Sequence, residues 1–228
     1  MNTPRSFVAA LSDVSLPNVF NPYRDQCPLH DHQDAPTRRR QNLEACLSSA
    51  VTLGADTIWI ARDLGYRGGR RTGLPLTDEA HLSSAAELFG GVPLQQATKG
   101  PALAERTATV TWDLLDQIGR PVMLWNVFPF HPHDADDPMS NRCHRKSERD
   151  ATWPFLAALI SMLRPRTLVA IGRDAGHALA NLDCRVETVR HPSYGGQAEF
   201  IDGIRKLYDL PDTRRVVTTA PLPFAEFA

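Results

Sequence analysis

Cysteine is scarce in this sequence, and its few copies lie far apart. Four occur among 228 residues, and no two of them form a CxxC pair: Cys27, Cys46, Cys143 and Cys184. This spacing argues against a zinc knuckle and indicates free thiols rather than disulfides. An iron–sulfur cluster held by four such distant ligands is a weaker alternative. We therefore expect a protein without a cofactor.

Long apolar runs and net charge are also missing. No stretch approaches the about 18 apolar residues of a membrane span, and the first residues lack the apolar segment and cleavage site of a secretion signal. We therefore expect a cytoplasmic protein with no membrane partner. The formal net charge is −1, so affinity for nucleic acid must come from local basic patches rather than from the net field.

Length and composition predict one compact domain. A chain of 228 residues with 42% hydrophobic content can bury a single good core. We expect this domain, as a monomer, to span residues 1–228. The stretches 1–36 and 211–228 show no clear pattern and are predicted to be irregular extensions.

Apolar runs and helical spacing alternate along the chain. Three runs predict buried strands and a more polar fourth predicts an edge strand: 57–60, 121–125, 167–172 and 185–189. Helices are predicted at 37–53, 101–119, 148–164, 174–182 and 196–209. Ser147 and Asp150 resemble a capping box for the third of these helices. The alternation predicts an α/β fold with three α/β/α layers and a central four-stranded, mostly parallel sheet.

Polar residues follow the predicted strands, where parallel sheets bind ligands. Asp63 lies three residues past the first strand, in "ARDLGYRGGRRTGLP". Its neighbours are glycines, which allow close backbone approach, and arginines, which suit phosphates. The arginines are Arg62, Arg67, Arg70 and Arg71. A turn-capping aspartate in a solvated loop is the alternative interpretation.

Asn126 and His191 end two further strands. The Asn126 amide offers a donor beside an acceptor, which matches an edge such as N3–H and O4 of uracil. His191 can donate a hydrogen bond to charge that develops on a leaving group. Phe128 and Phe130 are candidates to stack on a base. Each of these residues also has an ordinary interpretation, as a turn, loop or core residue.

The segment "HPHDAD" admits a metal site. His131, His133 and Asp136 can share a divalent ion. The HxHxDH pattern of dinuclear metallo-hydrolases fails, however, because Ala135 occupies its aspartate position. We therefore expect no metal ion, with loop histidines as the preferred interpretation.

The strand-end segments together resemble motifs of the uracil-DNA glycosylase superfamily, in the same order. "ARDLGY" resembles the first motif, GQDPYH or GEAPG, and Asp63 stands at the position of the catalytic aspartate. "GYRGGRRTGLPL", "LWNVFPFHPH" and "HPSYGG" resemble the continuation of that motif, the uracil-reading strand and the catalytic-histidine motif. The likeness spans about Asn21 to Tyr208. It departs at Ala61 and Arg62, and the cysteines do not match the iron–sulfur ligands of the family.

The resemblance implies a DNA glycosylase that flips uracil out of DNA and hydrolyses its N-glycosidic bond, leaving an abasic site for base-excision repair. It implies that Asp63 stabilises the cationic sugar and orients water, that His191 stabilises the departing base, and that Asn126 sets pyrimidine specificity. The other implied substrate-binding residues are Tyr66, Gly65, Leu76 and Arg62. The implied DNA-binding residues are Arg67, Arg70, Arg71, Ser193, Tyr194 and Gly195, with Tyr194 as a wedge.

Two departures from the family bear on specificity. Gly65 stands where the classical enzymes have a tyrosine that excludes the thymine methyl group, and Leu76 stands where related members have a phenylalanine that stacks on uracil. The missing side chain at Gly65 predicts open space and excision of at least one other base, unless Tyr66 fills the gap. Two alternative functions stay open. One is a non-catalytic binder of uracil-containing or abasic DNA, which has no need of Asp63, and the other is a metal-dependent hydrolase that uses His131.

Overall fold

The computed structural model describes residues 1–211, so the predicted C-terminal extension lies outside the described residues except for Pro211. The elements are α1 (Pro4–Ser12), β1 (Val19–Phe20), α2 (Ala35–Thr52), β2 (Thr57–Ala61), α3 (Gly69–Thr72), α4 (Leu82–Leu88), α5 (Arg106–Ile118), β3 (Met123–Asn126), β4 (His131–Pro132), α6 (Lys146–Leu163), β5 (Thr167–Ile171), α7 (Arg173–Leu179), β6 (Val186–Val189) and α8 (Gln197–Tyr208). A short 3-10 turn, Glu79–His81, precedes α4. None of the helices within this range combines the length and the apolarity that crossing a membrane requires.

The central sheet has four strands in the order β3-β2-β5-β6, and every neighbouring pair is parallel. The register pairs Ala61 with Asn126, and Ile171 with Val189. The predicted three-layer α/β/α fold is thereby confirmed, and the polar strand predicted at an edge is β6. A separate antiparallel ribbon joins β1 to β4.

Strand β2 contributes to two cores, because successive side chains of a strand point to opposite faces of the sheet. Ile58 and Ile60 pack in a cluster that includes residues of α1, α2 and α6. Trp59 packs in a second cluster, with residues of α5 and α8. All residues of β2 are buried, as expected of a strand covered by helices on both faces.

Part of the N-terminal segment is regular, so the prediction of an irregular extension over 1–36 is wrong for Pro4–Ser12 and Val19–Phe20. Thr3 caps α1, because its hydroxyl accepts a hydrogen bond of 3.2 Å from the Ser6 N–H, and a proline occupies the first helical position, where its missing N–H costs nothing. Phe7 and Leu11 are fully buried, and the Phe7 ring lies 5.4 Å from that of Trp125. Helix α1 is thus part of the domain core.

Two helix starts also differ from their predicted positions. Helix α5 begins at Arg106 rather than 101, because the N–H groups of Leu103 and Glu105 donate to buried acids of the 3-10 turn and its cap instead of opening a helix. Helix α6 begins at Lys146, where the Arg145 N–H donates to Oε2 of Glu148 at 2.6 Å. The acid three residues beyond the cap is therefore Glu148 and not Asp150.

Candidate active site at the strand ends

The parallel order brings the carboxyl ends of the four strands to one edge of the sheet. A cavity of about 320 Å³ lies there, formed by the loops after β2, β5 and β6, the start of α5 and residues 141–142. This volume falls in the range of about 300–1,000 Å³ that small-ligand sites have. The predicted site residues that line it are Arg62, Asp63, Gly65, Leu76, His191, Ser193 and Tyr194.

The Asp63 carboxylate is held by hydrogen bonds on both oxygens. Its side chain is 7% exposed, and Oδ2 accepts from Nε of Arg62 at 2.7 Å. Oδ1 accepts from Nδ1 of His144. Arg62 also donates to Oδ2 of Asp174 at 2.8 Å, so it joins the loop after β2 to the first turn of α7. These contacts fix the carboxylate at the wall of the cavity.

His144 is the functional candidate that sequence reasoning missed. It lies in the loop between β4 and α6, and its ring centroid is 5.5 Å from that of Phe128. Phe128 and Phe130 are fully buried core residues, so their proposed stacking on a base is wrong, and Phe128 instead supports His144. No spacing pattern links His144 to an aspartate 81 positions away, and only the folded chain brings them together.

His191 is held in one tautomer. The backbone N–H of Ser193 donates to its Nδ1 at 3.1 Å, which leaves the ring proton on Nε2. Burial lowers the pKa of His191, and the nearby charges of Arg62 and Arg190 lower it further. The imidazole is therefore a neutral donor at neutral pH. The backbone at Gly172 passes so close that an added Cβ there would lie 3.1 Å from Cβ of His191.

Two residues on the cavity wall adopt left-handed backbone conformations. Leu76 has φ +54° and Tyr194 has φ +52°, values that residues other than glycine rarely adopt. The Tyr194 side chain is 99% exposed, and Gly195 follows it with φ +77°. A strained, fully exposed aromatic residue beside a cavity is a feature that functional sites retain.

Asn126 lies beneath the cavity rather than on its surface. The residue is 1% exposed and is not among the residues that line the cavity. Its Oδ1 is buried and has no hydrogen-bond partner within residues 1–211. The Oδ1 atom is therefore an unsatisfied acceptor at the end of β3. Leaving such a buried acceptor unpaired costs about 1–3 kcal/mol of folding free energy.

A larger cavity, of about 400 Å³, lies on the other side of the loop after β2, and its lining contains no residue that follows β5 or β6. Tyr66 faces this second cavity, where its hydroxyl accepts from Nε of Arg67 at 2.7 Å. The prediction that Tyr66 lines the base pocket or fills the gap at Gly65 is therefore wrong, because Tyr66 lines this second cavity and is not among the residues that line the cavity of Asp63.

Arg70 and Arg71 are buried, 5% and 8% exposed respectively. Arg70 donates to Nδ1 of His131 at 3.0 Å and its guanidinium lies 3.9 Å from the ring centroid of Phe20. Arg71 donates to Oε2 of Glu79 at 3.0 Å. The prediction that both bind DNA phosphates is therefore wrong, because their buried side chains stabilise the loop through contacts with other residues of the protein. Of the three arginines of this loop that the sequence predicts to bind DNA, Arg67 is the one that is exposed.

The space beside Gly65 is occupied, contrary to the prediction of an open pocket. A Cβ at Gly65 would lie 3.4 Å from Oε1 of Glu105, and one at Gly68 would overlap Oε2 of the same carboxyl group. Glu105 also lines the cavity. Gly68 thus makes room for the Glu105 side chain, which would lie in van der Waals contact with a Cβ at Gly65 and supplies a wall of the pocket.

The alternative metal site does not assemble. His131 uses both ring nitrogens, because Nδ1 accepts from Arg70 and Nε2 donates to the Ser140 carbonyl at 2.8 Å. Nδ1 of His133 is hydrogen-bonded to the Asp134 carbonyl at 2.8 Å. In the described part of the chain, no three histidine, cysteine or acidic side chains are grouped to hold a metal ion.

Comparison with known proteins bears on the family and the fold of this chain. No curated protein sequence matches the chain significantly. The crystal structure of wild-type SMUG2 from Pedobacter heparinus is similar, with a TM-score of 0.60 and 16% identity over 92% of this chain and 97% of that one; at this identity the likeness shows the fold. A family model, the uracil DNA glycosylase superfamily, matches residues 60–221. Because that match covers more than half of the chain, the protein belongs to the uracil-DNA glycosylase superfamily.

Proposed function

We propose that this protein is a monofunctional DNA glycosylase that flips uracil out of DNA and hydrolyses its N-glycosidic bond. One observation carries the proposal: Asp63 and His191, from the loops after β2 and β6, line the same cavity. A carboxylate and a neutral hydrogen-bond donor are the two groups that this reaction needs. The proposed product is an abasic site in DNA, the starting point of base-excision repair.

The chemistry follows from the charges that develop as the bond breaks. Positive charge builds on the sugar and negative charge on the departing base. The fixed carboxylate of Asp63 stabilises the sugar and orients the attacking water, and its hydrogen bonds to Arg62 and His144 hold it in place. The Nε2–H of His191 stabilises the base, and a donor that needs no reorganisation is worth most in a cavity with little water.

Recognition of the nucleotide is assigned to groups around the cavity. The unsatisfied Oδ1 of Asn126 is a hydrogen-bond acceptor for the N–H of a base, once the base or a small movement of the strand end brings the two together. Exposed Tyr194 is the proposed wedge that fills the space left in the duplex. Phosphate contacts are assigned to the exposed Arg67, Arg173 and Arg190. We further propose that the enzyme acts as a cytoplasmic monomer.

The competing proposal is a non-catalytic DNA binder on the same fold. The buried and doubly hydrogen-bonded Asp63 argues against it, because a pure binder gains nothing from a carboxylate oriented into its cavity. A metal-dependent hydrolase is disfavoured by the interior contacts of His131.

A single-turnover assay on uracil-containing oligonucleotides tests the proposal, with alkali cleavage to reveal abasic sites. The wild type should excise uracil in the presence of EDTA. Asp63→Asn should lose most of the rate but still bind uracil DNA, because the amide keeps the shape and removes the charge. The matched control is Asp113→Asn, an exposed acid of α5 outside the cavity. Tight binding without excision by the wild type would support the binder, and activity that needs added metal would support the hydrolase.

A further inference from the structure

Glu105 places a further carboxyl group in the candidate active site, besides those of Asp63 and Asp174. It immediately precedes α5 and lines the same cavity as Asp63 and His191. The Asp63 oxygens are both engaged by neighbouring side chains. The Glu105 side-chain oxygens, in contrast, take part in none of the hydrogen bonds formed among residues 1–211. A partly buried carboxyl group with no protein partner is available to a ligand.

The backbone of Glu105 is rigidly mounted. Its N–H donates to Oδ2 of Asp78 at 2.5 Å. The other oxygen of Asp78 accepts from the backbone N–H of His81 at 3.0 Å and from its Nδ1 at 2.6 Å. Asp78 is fully buried. The backbone of Glu105 is therefore held in a fixed position, which a side chain needs if it is to select a ligand by shape.

The glycine-rich loop is shaped around the Glu105 carboxyl group. An added Cβ would meet Oε1 from Gly65 at 3.4 Å and would overlap Oε2 from Gly68. On this side of the cavity, the backbone of Gly65 and Gly68 therefore faces the end of the Glu105 side chain. Any base that enters beside Gly65 must contact or displace that carboxyl group.

The surroundings of Glu105 also favour its uncharged form. Burial raises its pKa, the charge of Asp78 raises it further, and Arg67 opposes both effects. A protonated carboxyl group presents an O–H donor next to a C=O acceptor. In its protonated form, Glu105 can hydrogen-bond to the carbonyl and N–H edge of a nucleobase without placing a full negative charge against the departing anion.

We propose that Glu105 is a specificity-determining residue that contacts the flipped base and closes the pocket beside Gly65 against larger bases. This inference rests on the proposed glycosylase function and deepens it. The missing side chain at Gly65 predicts an open pocket. In the structure, Glu105, the N-cap residue of α5, forms a wall there instead. The wild type then prefers uracil to bases that carry an additional substituent or a second ring.

The test compares single-turnover excision of uracil, 5-hydroxymethyluracil and hypoxanthine from otherwise identical oligonucleotides. Glu105→Ala should raise the rate on each larger base relative to uracil by about tenfold or more, the scale on which a pocket wall discriminates. Glu105→Gln, which keeps the size of the side chain, should leave the ratios near those of the wild type. Asp113→Asn, on the exposed face of α5, is the control and should change nothing.

The outcomes separate this inference from the proposed function. If the wild type excises uracil and the ratios of excision rates are unchanged in Glu105→Ala, the inference about Glu105 is overturned but the proposed function is not. The same holds if Glu105→Ala slows excision of all bases equally and lowers the melting temperature, because this result indicates a structural role. Wild-type excision of the large bases as fast as uracil overturns it too. No excision of any base by the wild type overturns the glycosylase proposal and this inference with it. If Glu105→Ala does not fold, the excision rates on the larger bases relative to uracil are measured in Glu105→Asp, whose side chain is one methylene shorter. An increase in these ratios supports the inference, and unchanged ratios overturn it.

Discussion

Replacement of His191 by alanine should slow uracil excision severely while leaving the fold intact. The ring contributes one donor, Nε2–H, which the Ser193 N–H fixes in place through Nδ1 at 3.1 Å. Loss of one preorganised donor to a developing anion costs roughly 2.7–4 kcal/mol, or about 10²–10³ in rate. Single-turnover excision of uracil measures this barrier directly, and His177→Ala, an exposed histidine of α7, is the matched control.

The pH dependence gives the same prediction a second test. Burial, Arg62 and Arg190 lower the pKa of His191, so the ring stays neutral as the pH falls through the ordinary histidine value of about 6.5. Protonation at lower pH would remove the acceptor for the Ser193 N–H and alter the donor. The contribution of His191 to the rate should therefore persist below pH 6.5. A loss of less than about tenfold in His191→Ala, or a wild-type rate that halves near that value because of this ring, would refute the reasoning.

Three further perturbations probe other parts of the structure. His144→Ala should reduce excision by up to about 100-fold with little change in DNA binding, because Asp63 loses one of its two orienting contacts; an unchanged rate would make His144 a packing residue only. Tyr194→Ala should slow excision from duplex DNA far more than from single-stranded DNA, since a wedge is needed only where a stacked base is removed; equal slowing on both substrates would argue against the wedge. Burial and the charge of Arg70 lower the pKa of His131 to about 3, whereas an unfolded histidine titrates near about 6.5. Between these values the unfolded chain binds more protons, so the free energy of unfolding should fall as the pH drops from about 6.5 toward about 3. Denaturation in urea at pH 7 and pH 5 should show this loss in the wild type and less of it in His131→Asn; identical pH dependence in the two proteins would contradict the assignment.

The fold and part of the site could be predicted from the sequence because both depend on a repeating pattern. Buried strands that alternate with helices lead to a parallel sheet. The carboxyl ends of such a sheet share one edge, so residues that directly follow strands can be assigned to a common site. This reasoning predicts Asp63 and His191 as site residues, and both line one cavity in the structure.

The remaining parts of the site arise from contacts that no local pattern encodes. His144 lies in an irregular loop and Glu105 lies just before a helix, so neither directly follows a strand of the central sheet. Arg70 and Arg71 looked exposed because a run of arginines usually is, but burial with Glu79, His131 and an aromatic ring reverses that expectation. The sequence of a loop shows how many charged residues it contains, but the side chains that pair with Arg70 and Arg71 come from other segments of the chain.

The strand order β3-β2-β5-β6 also governs how the site is assembled during folding. Asp63 follows the inner strand β2, Asn126 is the last residue of the edge strand β3, and His191 follows the edge strand β6. Every pairing in this sheet is parallel and joins segments that are distant in sequence, and such non-local pairings form slowly because long loops must close first. No partial sheet holds all three groups together. Recovery of excision activity during refolding should therefore require completion of every strand pairing in the sheet.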